Sequence, residues 1–343
     1  MPKLPKILIT GAGGYIGSVA TYLFLQNGFE VVGIDNFSTG FQQPLELLQK
    51  KFSQDKFRFY KTDLKTNLSF LFKNESKNRS SPFDVAIHYA ASCLVDESMK
   101  NPQKYFENNV IGSFNLLKTM LKFNINKIVF SSTCAVYGEA QYVPVDENHP
   151  TFPTNPYGES KRMVEKMIEW LGRLKGLNYF ILRYFNVCGA SDDGLIGDSK
   201  KPSTLLVQNA VRGALGIEPF YLTCPRVATP DKTPVRDYIN VVDLNEAHLS
   251  AAKKLLKKNY QETINLGTGT GNSVLEIIRE VQKVSGVKFA IKKTTPRQGE
   301  YAKMVAAIDK AKKILGWQPK RTIKDSVESL VKWYKVHPHG WKY

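Results

Sequence analysis

The sequence predicts an α/β fold: a doubly wound parallel Rossmann sheet followed by a smaller C-terminal α/β domain. Three observations carry this expectation. Short apolar runs alternate with stretches of helical period through the first half of the chain, a glycine-rich turn directly follows the first run, and the alternation breaks down after about residue 186.

"KILIT" (residues 6–10) is almost wholly apolar, as a strand buried on both faces must be. "GAGG" then turns the chain into the helix "YIGSVATYLFLQNG", and "EVVGID", "FRFYKTD", "DVAIHYAA", "NKIVFSS" and "NYFILRYFN" supply further strands ending in small or polar residues. In such a sheet, ligands sit at the carboxyl ends of the strands. Farther on, "GASDDGLIGDSKKPS" and "LTCPRVATPDKTPVRD" read as loops, while "TINLGTG" and the helices "SVLEIIREVQKV" and "IKDSVESLVKWYKV" build the smaller portion. The expected division is a nucleotide-binding Rossmann domain over 1–185, to which the chain returns around 236–266, and a mainly ligand-binding domain over 186–343.

Composition sets the class. With 343 residues, 42 % hydrophobic and 23 % charged, the chain has what a well-buried globule needs. No run reaches the roughly 18 apolar residues of a membrane span, and the N-terminus enters a strand without a signal-peptide pattern, so a cytoplasmic protein with no membrane partner is expected. Cys93, Cys134, Cys188 and Cys224 lie far apart with no CxxC spacing, which argues against a zinc site or a disulfide framework. His88, His149 and His248 stand singly, and neither they nor His337 and His339 are assigned a metal. The net charge of +17 favours an anionic partner, but the lysines fall in short helical groups such as "AAKKLLKK", which suits a solvated surface and a small anionic substrate better than nucleic acid.

In "ITGAGGYIGS", Gly11, Gly14 and Gly17 stand three apart between a strand and a helix. Glycine there permits a tight turn and close backbone approach, so a pyrophosphate can rest against the helix N-terminus. Asp35 closes the second strand 18 residues after Gly17, where a carboxylate accepts from a ribose diol and repels a 2′-phosphate; the expected cofactor is NAD rather than NADP. In "TNPYGESK", Tyr157 and Lys161 lie one helical turn apart, with Asn155 as N-cap and Pro156 at the first helical position. A phenol, with a pKa of about 10 when free, becomes a usable base beside an ammonium. "FSSTCAVYG" follows the strand "NKIVF" and brings Thr133, whose hydroxyl can bond a substrate hydroxyl and pass its proton to Tyr157.

The GxxGxxG loop, Asp35-Asn36, Asp63-Leu64, "HYAA" at 88–91 and the Tyr-x-x-x-Lys pair together resemble the extended short-chain dehydrogenase/reductase family. Seven blocks between residues 88 and 300, including "HYAASCLVDESMKNPQKYFENNV", "LRYFNVCGA", "VRDYINVVDL" and "PRQGE", narrow the resemblance to its nucleotide-sugar 4-epimerases. The resemblance implies that Thr133, Tyr157 and Lys161 form the catalytic group. It implies NAD held by Gly11, Gly14, Tyr15, Ile16, Gly17, Asp35, Asn36, Ser38, Thr39, Gly40, Asp63, Leu64, Tyr89, Ala90, Ala91, Asn108, Ser131, Tyr157, Lys161, Tyr184 and Phe185. It implies a UDP-sugar held by Thr133, Tyr157, Asn186, Thr204, Leu205, Arg236, Arg297, Glu300 and Met304.

Dehydratases of the family carry an Asp-Glu pair after the Thr, where this chain has Cys134 and Ala135, so the implied reaction is inversion of C4 in UDP-glucose and UDP-galactose through a transient 4-keto sugar. Epimerisation of another UDP-sugar (an N-acetylhexosamine, a pentose or a glucuronate) is the alternative, and a non-catalytic NAD-binding regulator is a remote one. Departures from the family pattern fall at Cys93, Asp96, Asn240 and residues 222–233. The helices in "YFENNVIGSFNLLKTML" and "KRMVEKMIEWL" resemble those of a four-helix dimer interface, which implies a homodimer.

Overall fold

The structure, a computed structural model, describes residues 4–77, 80–200, 203–295 and 301–341. The first half runs β1 (Lys6–Thr10), α1 (Tyr15–Gln26), β2 (Glu30–Asp35), α2 (Gln43–Lys51), β3 (Phe57–Lys61), α3 (Ser69–Glu75), β4 (Val85–His88), α4 (Val95–Lys100) and α5 (Pro102–Tyr105). A π-helical turn (Phe106–Ile111) leads into α6 (Gly112–Lys122), β5 (Lys127–Thr133), a short 3₁₀ turn (Cys134–Val136), α7 (Pro156–Lys175) and β6 (Asn178–Tyr184). Then follow β7 (Asn186–Cys188), α8 (Leu206–Ala214), β8 (Phe220–Leu222), β9 (Val235–Asn240), α9 (Val241–Lys257), β10 (Gln261–Leu266) and β11 (Gly271–Ser273). The chain closes with α10 (Val274–Ser285), β12 (Ile291–Lys293), β13 (Lys303–Met304), α11 (Asp309–Leu315) and α12 (Ile323–Val336).

Seven strands form the main sheet in the order β10-β6-β5-β4-β1-β2-β3, and the pairs β1–β2, β1–β4, β2–β3 and β4–β5 are parallel. Strand order reverses between β1 and β4, the position at which doubly wound sheets open a crevice for ligands. Every residue of β1 is buried, as its unbroken apolar run requires. One face packs Leu8, Val32, Ala86, Ile128 and Ile181 against Leu116, Leu117 and Met120 of α6 and Val164 and Ile168 of α7. At the amino ends of the strands an ion network replaces apolar packing: Lys6 Nζ lies 2.6 Å and Arg58 Nη2 3.0 Å from the Glu75 carboxylate, and Tyr60 donates to it at 2.6 Å. Burial alone would raise the Glu75 carboxyl, but hydrogen bonds from Arg58, Lys6 and Tyr60 outweigh it and hold the pKa at about 2.

The chain divides into two compact units: Met1–Gly138, Pro150–Arg183 and His248–Ile264 in the first, and Glu139–His149, Tyr184–Ala247 and Asn265–Tyr343 in the second. Set beside the expected boundary at 185 with a return over 236–266, residues 139–149 fall in the second unit, and the return covers 248–264. Backbone hydrogen bonds explain the first difference: Val145 N donates to Val305 O, and Ala307 N donates to Val145 O, each at 2.8 Å. In the second unit β9 pairs in parallel with β7 and β13 and antiparallel with β11, while β8 and β12 form a separate parallel pair. Helices α8, α10 and α12 pack together through apolar faces that include Val211, Ile278, Leu330 and the fully buried Trp333. Both α10 and α12 begin with capping boxes, Ser273/Glu276 and Thr322/Asp325.

Candidate active site

The glycine loop leaves β1 at the strand-order reversal. Gly11 has φ +70, where only glycine is unstrained, and a Cβ on Gly17 would lie 2.0 Å from Gly11 O, so helix and loop touch backbone to backbone. Gly14 is the N-cap of α1, with no side-chain cap and no acidic residue in the first turn. A helix start with no side-chain cap and no acidic residue in its own first turn suits a pyrophosphate. Tyr15, Ile16 and Gly17 form the first turn of α1.

Asp35 ends β2 beside this loop. Its Oδ2 accepts from Gly13 N at 2.9 Å and its Oδ1 from Phe37 N at 2.7 Å. Burial pushes its carboxyl above the usual range, although backbone N–H groups of Phe37, Gly13 and Gly14 pull the other way. A carboxylate has about four lone-pair sites, so three backbone donors leave capacity for a further one. Asn36 donates to Asp63 at 3.1 Å, Ser38 N to Asn36 at 3.0 Å, and Gly40 packs on Gly13 so closely that a Cβ would lie 2.8 Å from Gly13 C. Thr39 stands in the same turn. Leu64 packs its side chain with the apolar core.

Ala90 N donates to Thr10 Oγ1 at 3.2 Å, and Tyr89 lies against the His248 ring with centroids 4.7 Å apart; Ala91 is next in the chain. Asn108, on the π-helical turn, donates to Ser92 Oγ at 3.3 Å. His88 is fully buried between Thr10 and Ser113, each at 2.7 Å. Ser113 gives its proton to Asn109 O, so His88 Nε2 must donate to Ser113 while Nδ1 accepts from Thr10. Burial, then the charge of Lys161, pushes His88 down to about 3, which leaves it a neutral tie between strands and α6.

Thr133 is the last residue of β5, buried, and accepts from Ala135 N at 3.1 Å, which leaves its own proton to donate. Asn155 caps α7 by accepting from Gly158 N at 2.8 Å, Pro156 is the first helical residue, and Gly176 closes the helix in the left-handed conformation. Tyr157 and Lys161 therefore sit on the first two turns of a capped helix, and both are buried. Lys161 Nζ donates to Ser131 O at 2.8 Å and lies 4.9 Å from the centre of the Phe130 ring. Burial pushes its ammonium down to about 8, against smaller upward contributions from Cys93 and Glu165.

The second unit holds a pocket lined by Asn186, Thr204, Leu205, Arg236, Leu222 and Cys224 among others. Four of the residues expected to hold the UDP-sugar thus share one pocket. Arg236 is fixed by donating to Val235 O at 3.0 Å and Tyr301 O at 2.9 Å. Met304 is buried and pairs with Arg236 across β13 and β9, off the pocket lining. Tyr184 ends β6 and Phe185 follows it, its N–H donating to Leu266 O at 3.3 Å. Arg297 and Glu300 lie outside the described residues. Asn240 is a helix-start residue, accepting from Val242 N at 2.7 Å and donating to Ser326 at 2.9 Å. Leu222, Thr223 and Cys224, at the start of the departing run 222–233, join this pocket lining; Phe220 and Tyr221 of the same lining and the buried Glu165–Arg183 pair have no counterpart among the sequence-predicted residues, although Glu165 repeats the spacing of four from Tyr157 and Lys161.

A dinucleotide-type glycine loop and a Tyr-Lys helix laid against the strand that ends in Thr133 define a short-chain dehydrogenase/reductase. Residues 8–330 match the family model described as GDP-mannose 4,6 dehydratase. UDP-glucose 4-epimerase of Halalkalibacterium halodurans is 40 % identical over 98 % of this chain and 97 % of its own, and that of Lactobacillus helveticus 38 % over 98 % and 99 %. The crystal structure of UDP-glucose 4-epimerase from Bifidobacterium longum in complex with NAD+ and UDP superposes with a TM-score of 0.90 at 33 % identity, covering 98 % of this chain and all of that one. The chain belongs to the UDP-glucose 4-epimerase family and is an isomerase.

Proposed function

We propose that the protein interconverts UDP-glucose and UDP-galactose by inverting C4, with NAD as a retained cofactor. The observation that carries the reaction type is the end of β5. Thr133 is followed by Cys134 and Ala135 rather than carboxylates, and two turns of α7 are laid against the same strand end. Without an acid and base beyond Thr133, water cannot be removed from the sugar, so dehydration is disfavoured in spite of the family model's description.

The uncapped start of α1, Gly11, Gly14, Gly17 and Asp35 would hold the dinucleotide, which when bound would supply the hydride acceptor and donor for C4. Tyr157 takes the proton of the sugar 4-hydroxyl, and Thr133 orients that hydroxyl. Lys161 stays protonated below about pH 8 and stabilises the phenolate. Arg236, tied to two carbonyls, would hold the diphosphate while the sugar turns; Asn186, Thr204 and Leu205 line the same pocket.

Ile111, Phe114, Met163, Trp170 and Leu174 are exposed on the segment from the π-helical turn into α6 and on α7, which supports a homodimer formed through these helices. A cytoplasmic setting goes with the four free cysteines. The test is proton NMR of purified protein with UDP-galactose and no added NAD. The UDP-glucose anomeric signal should grow, and Tyr157→Phe should slow it by about 10²-fold or more. Turnover of UDP-N-acetylhexosamines, UDP-pentoses or UDP-glucuronate in its place would reassign the substrate, and full activity of the Phe variant would overturn the mechanism.

A further inference from the structure

The third turn of α7 carries a carboxylate that the epimerase chemistry does not use. Glu165 has no exposed side-chain surface, yet it accepts four hydrogen bonds. They come from Ser132 Oγ, from Arg183 Nε at 2.9 Å and Nη2 at 2.7 Å, and from Arg162 Nη1 at 3.0 Å. Arg183 in turn donates to the Tyr137 hydroxyl at 3.1 Å and lies 4.9 Å from the centre of its ring. A buried ion pair is often no more stabilising than apolar residues of the same volume, so its presence here calls for a reason other than stability. Its location supplies one. One turn earlier, Lys161 holds Ser131 O; Glu165 holds the side chain of Ser132; and the next residue is Thr133. Successive turns of the helix that bears Tyr157 thus grip successive residues of the strand that bears its hydroxyl partner.

We infer that Glu165 is a positioning residue: through Ser132 and Arg183 it sets the separation between Thr133 and the Tyr157–Lys161 pair, and its charge helps keep the proton on Lys161. The inference rests on the epimerase reading above. Lys161 is faced by His88 on β4, Cys93 from the segment after it, the Ser131 carbonyl and Phe130 ring on β5, and Tyr157 and Glu165 one turn to either side on α7. Of these groups only Glu165 is a carboxylate, and Arg183 and Arg162 share its charge.

The test compares full-length Ser132→Ala and Glu165→Gln with wild type. It reads the urea midpoint, kcat and KM for UDP-galactose, and the titration of Lys161 by NMR of protein labelled with ¹³C at lysine Cε, the signal being identified by Lys161→Arg. Ser132→Ala, which leaves both arginine contacts in place, should fold normally and keep KM within about twofold while kcat falls about tenfold, because near-attack geometry is lost without binding. Its Lys161 titration should not move. Glu165→Gln should lower the Lys161 titration. If that variant does not fold, Glu165→Asp, which keeps the charge but withdraws the oxygens from Ser132, should repeat the Ser132→Ala result. Wild-type kcat in Ser132→Ala, with loss only in the urea midpoint, would reduce Glu165 to a structural role; an unmoved Lys161 titration in Glu165→Gln would remove its electrostatic one. The NMR titration needs no turnover, so an inactive wild type would strike the epimerase reading and leave the electrostatic arm decided.

Discussion

Gly17→Ala tests the cofactor loop at its tightest point. The added Cβ would stand 2.0 Å from Gly11 O, whereas ordinary contact begins at 3.4 Å, so helix α1 and the loop must part by about 1.4 Å, the difference of the two. The Gly14 N to Gly11 O hydrogen bond, 3.1 Å long, bridges the same seam and would be broken by such a shift. Overpacking at about 1–3 kcal/mol and a lost hydrogen bond at about 1 kcal/mol give a loss of about 2–4 kcal/mol. Gly28→Ala is the control: φ is +78 but nothing lies within 4 Å, so it loses only about 1–2 kcal/mol of left-handed strain. The assay is urea unfolding of protein freed of NAD, with and without NAD restored at about 100 times the wild-type Kd, which adds about 2.7 kcal/mol to a protein that binds it. Gly28→Ala should keep that increment and Gly17→Ala should lose nearly all of it. A Gly17→Ala protein that retains the increment would refute the assignment of this seam to the dinucleotide.

Three other outcomes follow from the same geometry. Because burial pushes Lys161 from 10.5 down to about 8, kcat should fall above about pH 8 as the ammonium is lost. Stability from this group should instead rise between pH 8 and 10.5, since only the unfolded chain keeps the proton there; a Lys161→Met variant with the wild-type slope of urea midpoint against pH would contradict this. Glu75, held at about 2, stabilises the fold above its unfolded value of 4.5 and loses that contribution as pH falls from 4.5 toward 2. Glu75→Gln should therefore cost about 2 kcal/mol at pH 7, less than for a fully buried pair because Arg58 is partly exposed, and the gap to wild type should close in acid, as followed by urea unfolding. For the proposed homodimer through α6 and α7, Trp170→Glu combined with Leu174→Glu should halve the mass seen by light scattering; a wild type of monomer mass would refute the dimer, and an unchanged dimer mass in the variant would refute this interface.

What the sequence made legible was whatever depends on local chemistry. Apolar runs such as KILIT and KIVF signal a doubly buried strand, and Asn155 and Pro156 mark the start of α7 before any packing is known. The second-unit membership of residues 139–149 was not legible, because it depends on backbone bonds from Val145 and Ala307 that leave no side-chain signature. The π-helical turn at Phe106–Ile111 is likewise a hydrogen-bonding register without a residue pattern. Leu64, paired with Asp63 by resemblance, spends its side chain on the core. Glu165 shares a spacing of four with Tyr157 and Lys161, but that spacing names no partner; the fold brings Arg183 and Ser132 to it from two strands.

The hydrogen bonds that Asp35 accepts from Gly13 N and Phe37 N constrain how this protein could change its cofactor. A carboxylate that holds the N–H of Gly13 and of Phe37, the latter in a left-handed conformation, is part of the loop's framework as well as a reader of ribose. Replacing it to admit a 2′-phosphate withdraws both anchors at once, so the substitution that relaxes selectivity also slackens the phosphate turn. Exchange of NAD for NADP therefore lies more than one mutational step away, and a lineage or an engineer would first have to rebuild the turn at residues 36–40 to stand without its aspartate.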